Sequence, residues 1–350
     1  MTLRTKLLSL ALAAIMLLSL GLVACGGGAE TTAPETTSKP SGSQTKTLRV
    51  ATLAGPTGMG MSKMMLEGSS NKDYTYTFEV CPDPSLLVTQ MVGTLAGNEA
   101  SFDIAALPTN SAANVFNKTN GAFKVLALNT LGVLYILDNG NSVTTIESLK
   151  GKTIGVSVPG STPEYILRYV LSQNGIDPEK DVTLQFYADH DTLAAQVIAG
   201  NIDIAMLPEP KVSAVKAQNK NTRVAISLTE EWNKISDRKL VQGCVVVNSA
   251  FADANPDLIA TFLADYAKSA EYIADPANLE DAAAKVVEAG IIPKVPIAKL
   301  ALPNANIVLI TGEEMKTTLD AFLRVLNGYA PASIGGSVPS DSFYYIPSAK

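Results

Sequence analysis

Apolar and polar positions alternate along this chain in two periods. Thr47-Leu48-Arg49-Val50-Ala51-Thr52-Leu53 and the run Tyr74 to Val80 alternate every second residue and predict strands. Between Ser85 and Ala96, Leu87, Met91 and Leu95 recur at i, i+4 and i+8, which predicts a helix with one apolar stripe. A helix is expected around Met64, Met65 and Leu66, and another around Val115 and Phe116, with strands at 103–107, 123–128 and 133–137. The same grammar restarts at Ser148-Leu149-Lys150-Gly151-Lys152, a turn into a strand at 153–158. A helix through Tyr165, Leu167, Val170 and Leu171 follows and is stopped by Gly175; Ser161 or Thr162 supplies its cap. Then come a strand at 182–187, a helix at 191–199, a strand at 203–207, a short helix at Ala214-Val215 and a strand at 224–228. Gln242 to Asn248 is an apolar strand, and helices are expected at 256–274, 279–289 and 312–326. This alternation argues for parallel α/β sheets joined by right-handed crossovers.

One phrase occurs twice. Ala96-Gly97-Asn98 leads to Asp103-Ile104-Ala105-Ala106-Leu107-Pro108, and Ala199-Gly200-Asn201 leads to Asp203-Ile204-Ala205-Met206-Leu207-Pro208. The repetition predicts two similar lobes with a cleft between them, a usual place for a small ligand. In open α/β sheets ligands sit at the carboxyl ends of strands. The candidate binding residues are therefore Thr57, Gly58, Met59, Gly60, Asp83, Pro108, Thr109 and Asn110 from the first lobe. Gly160, Ser161, Thr162, Tyr187, Pro208 and Glu209 are those of the second. Asp103 and Asp203 each start a strand at the end away from the cleft, so local hydrogen bonding is the expected role for both.

The amino terminus reads as a targeting segment. Arg4 and Lys6 precede an apolar run from Leu7 to Leu22, which closes in Leu22-Val23-Ala24-Cys25. A Cys directly after Leu-x-Ala is the lipobox pattern, so residues 1–24 are expected to be a lipoprotein signal peptide and Cys25 a lipidation site. The acyl chains would anchor the protein to the membrane at about 0.8 kcal/mol per buried methylene. A transmembrane anchor is the alternative, since the run approaches the length that spans a bilayer. Residues 25–46 are rich in Gly, Thr, Ser, Pro and Glu and read as a flexible tether.

Composition narrows the function by exclusion. The chain has 27 Lys+Arg against 33 Asp+Glu; without Arg4 and Lys6 the balance is 25 against 33, a net charge of about −8. No basic run or Arg-rich stripe exists, which argues against a nucleic-acid partner. Cys81 and Cys244 either bridge or stand as two separate buried thiols, and with the single His190 they do not make a zinc site. Gly58-x-Gly60 has Lys63 where a dinucleotide fingerprint needs a third glycine. His190, in the polar turn Ala188-Asp189-His190-Asp191, reads as a surface residue near a helix cap. No Gly-x-Ser-x-Gly elbow is present. The chain is read as a non-enzyme without metal or cofactor.

Several of these phrases together resemble one family. Leu149-Lys150-Gly151-Lys152-Thr153-Ile154-Gly155-Val156, Pro159-Gly160-Ser161, and Ala199 to Ala205 with Glu209-Pro210 are similar to the nitrate, sulfonate and taurine solute-binding proteins, a family that includes binders of the thiamine pyrimidine precursor. The resemblance covers nearly all of Thr47 to Leu326 and implies a two-lobed type II periplasmic-binding-protein fold: two α/β sandwiches joined by two crossing strands, with a ligand cleft between. It places one lobe at 47–134 with 245–350 and the other at 135–244, with crossings near Tyr135 and Gly243. It implies a monomer that delivers a solute to an ABC permease and its ATPase. The loop acids Asp83, Glu164 and Glu209, with few loop cations, lean toward a neutral or weakly basic heteroaromatic solute such as a pyrimidine. A sulfonate, taurine or nitrate binder is the alternative within the family. A chorismate-type dehydratase on the same fold, with Glu209 as general base, is the alternative outside it.

Overall fold

The structure is a computed structural model, and it describes residues 45–93 and 102–347. The signal peptide, the tether, Cys25 and the first Ala96-Gly97-Asn98 lie outside the described residues. Among the described residues eleven strands form two sheets and thirteen helices cover them. The first part of the chain gives β1 (Lys46–Leu53), β2 (Tyr74–Cys81), β3 (Ile104–Pro108) and β4 (Phe123–Leu131). The middle gives β5 (Leu134–Asp138), β6 (Thr153–Ser157), β7 (Thr183–Tyr187), β8 (Ile204–Pro208) and β9 (Arg223–Ser227). The chain then returns as β10 (Val241–Asn248) and ends its strands with β11 (Ile307–Ile310).

The sheet orders are β11-β4-β10-β3-β1-β2 and β7-β6-β8-β5-β9. Read from the β2 and β7 edges, the two sheets have the same plan. The repeated strand, β3 in one and β8 in the other, is third, with a parallel neighbour on one side and an antiparallel one on the other. That antiparallel neighbour is β10 in the first sheet and β5 in the second. Each is the strand laid down just after the chain changes sheets, at Gly132-Val133 on the way out and between Ile235 and Val241 on the way back. The sheets are therefore mixed rather than purely parallel, each taking one antiparallel strand from the chain as it enters from the other lobe. Residues 241–244 already pair with β4 of the first sheet.

Thirteen helices cover the faces. They are α1 (Pro56–Met59), α2 (Ser62–Glu67), α3 (Pro84–Gly93), α4 (Thr109–Lys118), α5 (Thr162–Gln173), α6 (His190–Ile198) and α7 (Lys211–Gln218). They continue as α8 (Leu228–Ile235), α9 (Ser249–Ala254), α10 (Pro256–Ala274), α11 (Leu279–Glu288), α12 (Val295–Ala301) and α13 (Gly312–Tyr329). Alternation within β1 sends Leu48 and Val50 to the α2–α10 face, and Ala51 and Leu53 to the opposite face. That opposite face is continuous with the α5–α8 face of the second sheet, since one apolar core holds Leu107, Ile154, Val156, Trp232 and the α13 residues Phe322 and Leu326. Trp232 lies 5.7 Å from Phe322, ring centre to ring centre, and Tyr169 lies 6.4 Å from Tyr329. Helix α13 is thus an apolar splint across both sheets. No helix among the described residues is long and apolar enough to cross a membrane. Cys81 and Cys244 are both buried and free.

Candidate functional site

The carboxyl ends of β1, β3, β6, β7 and β8 carry the loops singled out by the sequence, and the structure sorts those residues into two kinds. On the first sheet the segment after β1 is not an open loop but the turn of helix α1. That turn points three of its four candidates inward. A Cβ at Gly58 would fall 2.7 Å from Ile291, Met59 is fully buried in the core with Ile273, Val286 and Ile291, and a Cβ at Gly60 would lie 3.0 Å from Ile307. These glycines serve close packing, and Met59 is a core residue. Thr57 remains half-buried, with its carbonyl accepting from Asn129 Nδ2 at 2.8 Å.

Asp83 is exposed, and its carboxylate accepts from the Ser85 and Leu86 N–H groups at 2.7 and 3.0 Å, so it caps α3. Pro108 pairs across to Gly243, and the buried Thr109 hydroxyl donates to the Val241 carbonyl at 3.3 Å, which ties α4 to the returning strand. Asn110 is half-buried beside it.

The second sheet offers more. Gly160, at φ 76°, donates its N–H to Glu164 Oε2 at 2.7 Å, and Arg168 Nε donates to Glu164 Oε1 at 2.7 Å. Glu164 is therefore paired and holds the loop shut. Ser161 caps α5 with its backbone alone, and the buried hydroxyls of Ser161 and Thr162 have no hydrogen-bond partner among the described residues. An orphaned hydroxyl beside the free N–H groups of a helix start is a polar position a ligand oxygen or nitrogen can use. The Tyr187 hydroxyl accepts from Gln185 Nε2 at 2.7 Å.

Glu209 follows Pro208 at the end of β8 and is 2 % exposed. Its N–H donates to the Val133 carbonyl at 3.0 Å, which fastens it to the first crossing. Its carboxylate accepts from Ser213 N–H and Oγ at 3.2 and 3.1 Å. Of the five other buried acids, four have a cation within 3.0 Å, Asp103 with Arg49, Asp138 with Arg223, Glu164 with Arg168 and Glu231 with Lys234, while Asp265, remote from the cleft loops, accepts from Ser70 N–H and the Tyr76 hydroxyl at 3.0 and 2.8 Å. Glu209 has no ion-pair partner among the described residues. Burial pushes its carboxyl up to about 7, against the pull of the Ser213 bonds and the more distant Lys216. Burial, and then the Glu209 charge, push the Tyr135 phenol up to about 12.

A cavity of about 500 Å³ opens here, lined by Tyr135, Glu209, Ser213 and Lys216 from the second sheet's side and by Leu300 and Asn304 from the first lobe's helices. The lobes touch around it. Tyr135 donates to the Asn304 carbonyl at 3.4 Å, and Pro210 lies against Gly55, where a Cβ would stand 3.5 Å away. Sequence reasoning missed Tyr135 as a lining residue, along with Ser213. The i, i+4 spacing of Glu209 and Ser213 at a helix start was the available signal.

Two further sequence readings change. His190 is half-buried rather than exposed, because its ring reaches Ser157, with Nδ1 2.5 Å from Ser157 Oγ. Asp103 is held at the strand entrance as expected, accepting from Arg49 Nε, Nη2 and backbone N–H at 3.2, 2.8 and 2.8 Å, whereas its counterpart Asp203 is exposed.

Residues 121–278 match the family described as NMT1/THI5 like. YtlA of Bacillus subtilis (strain 168), a protein named for binding, is 24% identical over 164 residues, 37% of this chain; the chain spans about half (48%) of that relative. Among solved structures, an ABC transporter protein from Parabacteroides distasonis superposes with a TM-score of 0.73 at 21% identity, covering 87% of this chain and 100% of that one. The periplasmic aliphatic sulphonate binding protein SsuA from Escherichia coli gives 0.66 at 17% identity, covering 83% and 96%. The periplasmic nitrate-binding protein NrtA from Synechocystis PCC 6803 gives 0.60 at 16% identity, covering 83% of each chain. The fold expected from the sequence is met, a two-lobed α/β architecture like that of these solved binding proteins, and within it residues 121–278 are NMT1/THI5-like.

Proposed function

We propose that this protein is the extracytoplasmic solute receptor of an ABC importer, held to the membrane by lipid on Cys25 and working as a monomer with a permease and its ATPase. Its lobes, 47–134 with 245–350 and 135–244, close on a small organic solute. The solute is neutral or weakly basic and heteroaromatic, of pyrimidine type. One observation carries the solute class: Glu209 is a buried carboxyl between the lobes without a cation. A buried carboxylate is costly unless paired, so a ligand N–H donor or a weakly basic ring nitrogen is its natural complement. An anion placed against it would be repelled whenever Glu209 is ionised.

A sulfonate- or nitrate-type anion is the second reading. Lys216 and Lys220 line the same cavity, and the pairing of Glu164 with Arg168 removes one of the acids that would oppose an anion.

A thermal-shift screen with pyrimidines, thiamine, aromatic sulfonates, taurine, nitrate and bicarbonate separates the two. A ligand at 100 times its Kd adds about 2.7 kcal/mol, a readily measured shift. A pyrimidine should raise Tm, and Glu209→Gln should weaken that shift. If only sulfonates or nitrate raise Tm, the heteroaromatic assignment is wrong. Mass spectrometry of the mature N-terminus tests the lipid on Cys25.

A further inference from the structure

The chain has a single histidine, and it sits where three strand ends converge. Strands β7, β6 and β8 are neighbours, and just past their carboxyl ends lie His190 at the start of α6, Ser157 at the close of β6 and Lys211 at the start of α7. Ser157 is 1 % exposed, and its Oγ lies 2.5 Å from His190 Nδ1. The helix does not need the imidazole, because Asp189 caps α6 by accepting from the Thr192 N–H at 2.6 Å. Lys211 is ion-paired with Asp191 beside it. Val158, immediately after Ser157, is held at φ 56°, a conformation that β-branched residues seldom take. Its N–H donates to the Tyr187 carbonyl at 3.0 Å, and its own carbonyl accepts from the Ser161 N–H at 3.2 Å. Backbone strain of this kind persists where the surroundings over-determine it, and such places cluster at binding sites.

The imidazole is neutral at pH 7, since burial and then the Lys211 ammonium bring it down to about 4 against the pull of Asp191 and Asp189. A neutral ring has one acceptor nitrogen and one N–H, and the partner of one nitrogen fixes the role of the other. We propose that Ser157 and His190 form a solute-reading pair: the Ser157 hydroxyl donates to Nδ1, the hydrogen is thereby fixed on Nε2, and Nε2–H donates to an acceptor atom of the bound solute. The inference rests on the solute-receptor reading and deepens it. The solute presents a hydrogen-bond acceptor, a ring nitrogen or a carbonyl or oxyanion oxygen, to this strand end. The unpartnered Ser161 and Thr162 hydroxyls, Thr162 being 2 % exposed, lie on the same loop and offer further polar contacts to it.

One histidine makes the test direct. A long-range proton–nitrogen correlation spectrum of the untagged full chain at pH 7 contains a single imidazole. It should report hydrogen on Nε2 in the free protein and a change of tautomer in Ser157→Ala. The panel compound with the largest thermal shift should move the Nε2 resonance in proportion to the bound fraction. His190→Ala should lower the ligand-free Tm, since it orphans the buried Ser157 hydroxyl, and should weaken that compound at least tenfold at a temperature where the variant is folded. Imidazole signals that stay fixed at saturation, or a His190→Ala variant that binds like wild type, overturn the pair and leave the receptor reading standing. A panel in which nothing raises Tm counts against the receptor reading and the pair together. If His190→Ala does not fold, the wild-type spectrum decides alone.

Discussion

At the residue scale, the acids of the cleft loops divide by their partners. Asp83 and Glu164 are spent on a helix cap and an ion pair, and Glu209 alone of the three faces the interlobe cavity. The energetic consequence has a definite sign. The folded-state value of Glu209, about 7, lies above its ordinary 4.5, so folding favours the protonated carboxyl. That contribution is fully present below pH 4.5 and is lost as pH rises through 7, a swing on the order of 3 kcal/mol. Glu209→Gln should therefore unfold at higher urea than wild type at pH 8, by on the order of 3 kcal/mol, and match it to within about 0.5 kcal/mol at pH 4. Parallel stability profiles for the two proteins between pH 5 and 9 would show that the carboxyl is not buried as described.

At the scale of elements, the crossings are built around glycines that cannot be replaced. A Cβ at Gly132 would meet Leu240 at 2.9 Å and overlap the Thr229 hydroxyl, and a Cβ at Gly243 would lie 2.6 Å from Asn129 Oδ1. The two connections between sheets thus run against β4, α8 and each other without room for a side chain. Further bonds secure them: Val133 N–H donates to Gln242 Oε1 at 2.6 Å, and Asn306 donates to the Gly132 carbonyl. Overpacking of such a site costs about 1 to 3 kcal/mol. Gly132→Ala should lose that much in urea titrations, and adding Thr229→Ala should recover part of the loss because the two sites are in contact. Strictly additive losses in the double variant would exclude the clash as the cause.

Most elements were legible because their periodicity is strong. The alternation of β1 and β2, the stripe of α3 and the doubled Asp-Ile-Ala strand all appear where the pattern put them. The α1 turn was not legible: Gly, Pro and Thr after a strand read as a loop, and only the contacts of Met59 with α10 and α11 show that the segment coils inward. The two repeat aspartates were alike in sequence, yet only one has an arginine across the strand to bind. His190 misled for a similar reason. Polar neighbours in sequence suggested exposure, but the ring bonds to Ser157 at a strand end that is distant in sequence.

At the scale of the whole molecule, the two sheets share one apolar core on the side of α13, while their other faces carry separate cores of their own. Trp232, the chain's only tryptophan, belongs to a helix of the second sheet and packs on Phe322 of α13, which also lines the first. Burial continuous across both sheets predicts one cooperative unfolding transition. Trp232 fluorescence and far-UV circular dichroism should give coincident urea midpoints. Phe322→Ala should lower the midpoint by an amount corresponding to about 3 to 5 kcal/mol, typical of emptying a buried aromatic site. Separate transitions in the wild-type protein would mean that α13 does not couple the lobes.

By itself the sequence determined the alternation of strands and helices, the doubled lobe and the carboxyl-edge location of the candidate loops. Those follow from local periodicity, turn residues and a repeated phrase, all carried by neighbours in the chain. Only the tertiary structure decided which candidates face the cavity, which of the buried cleft-loop acids lacks a cation, and that the single histidine meets Ser157. Burial and charge pairing are set by groups brought together across sheets and helices, so no local pattern could have assigned them.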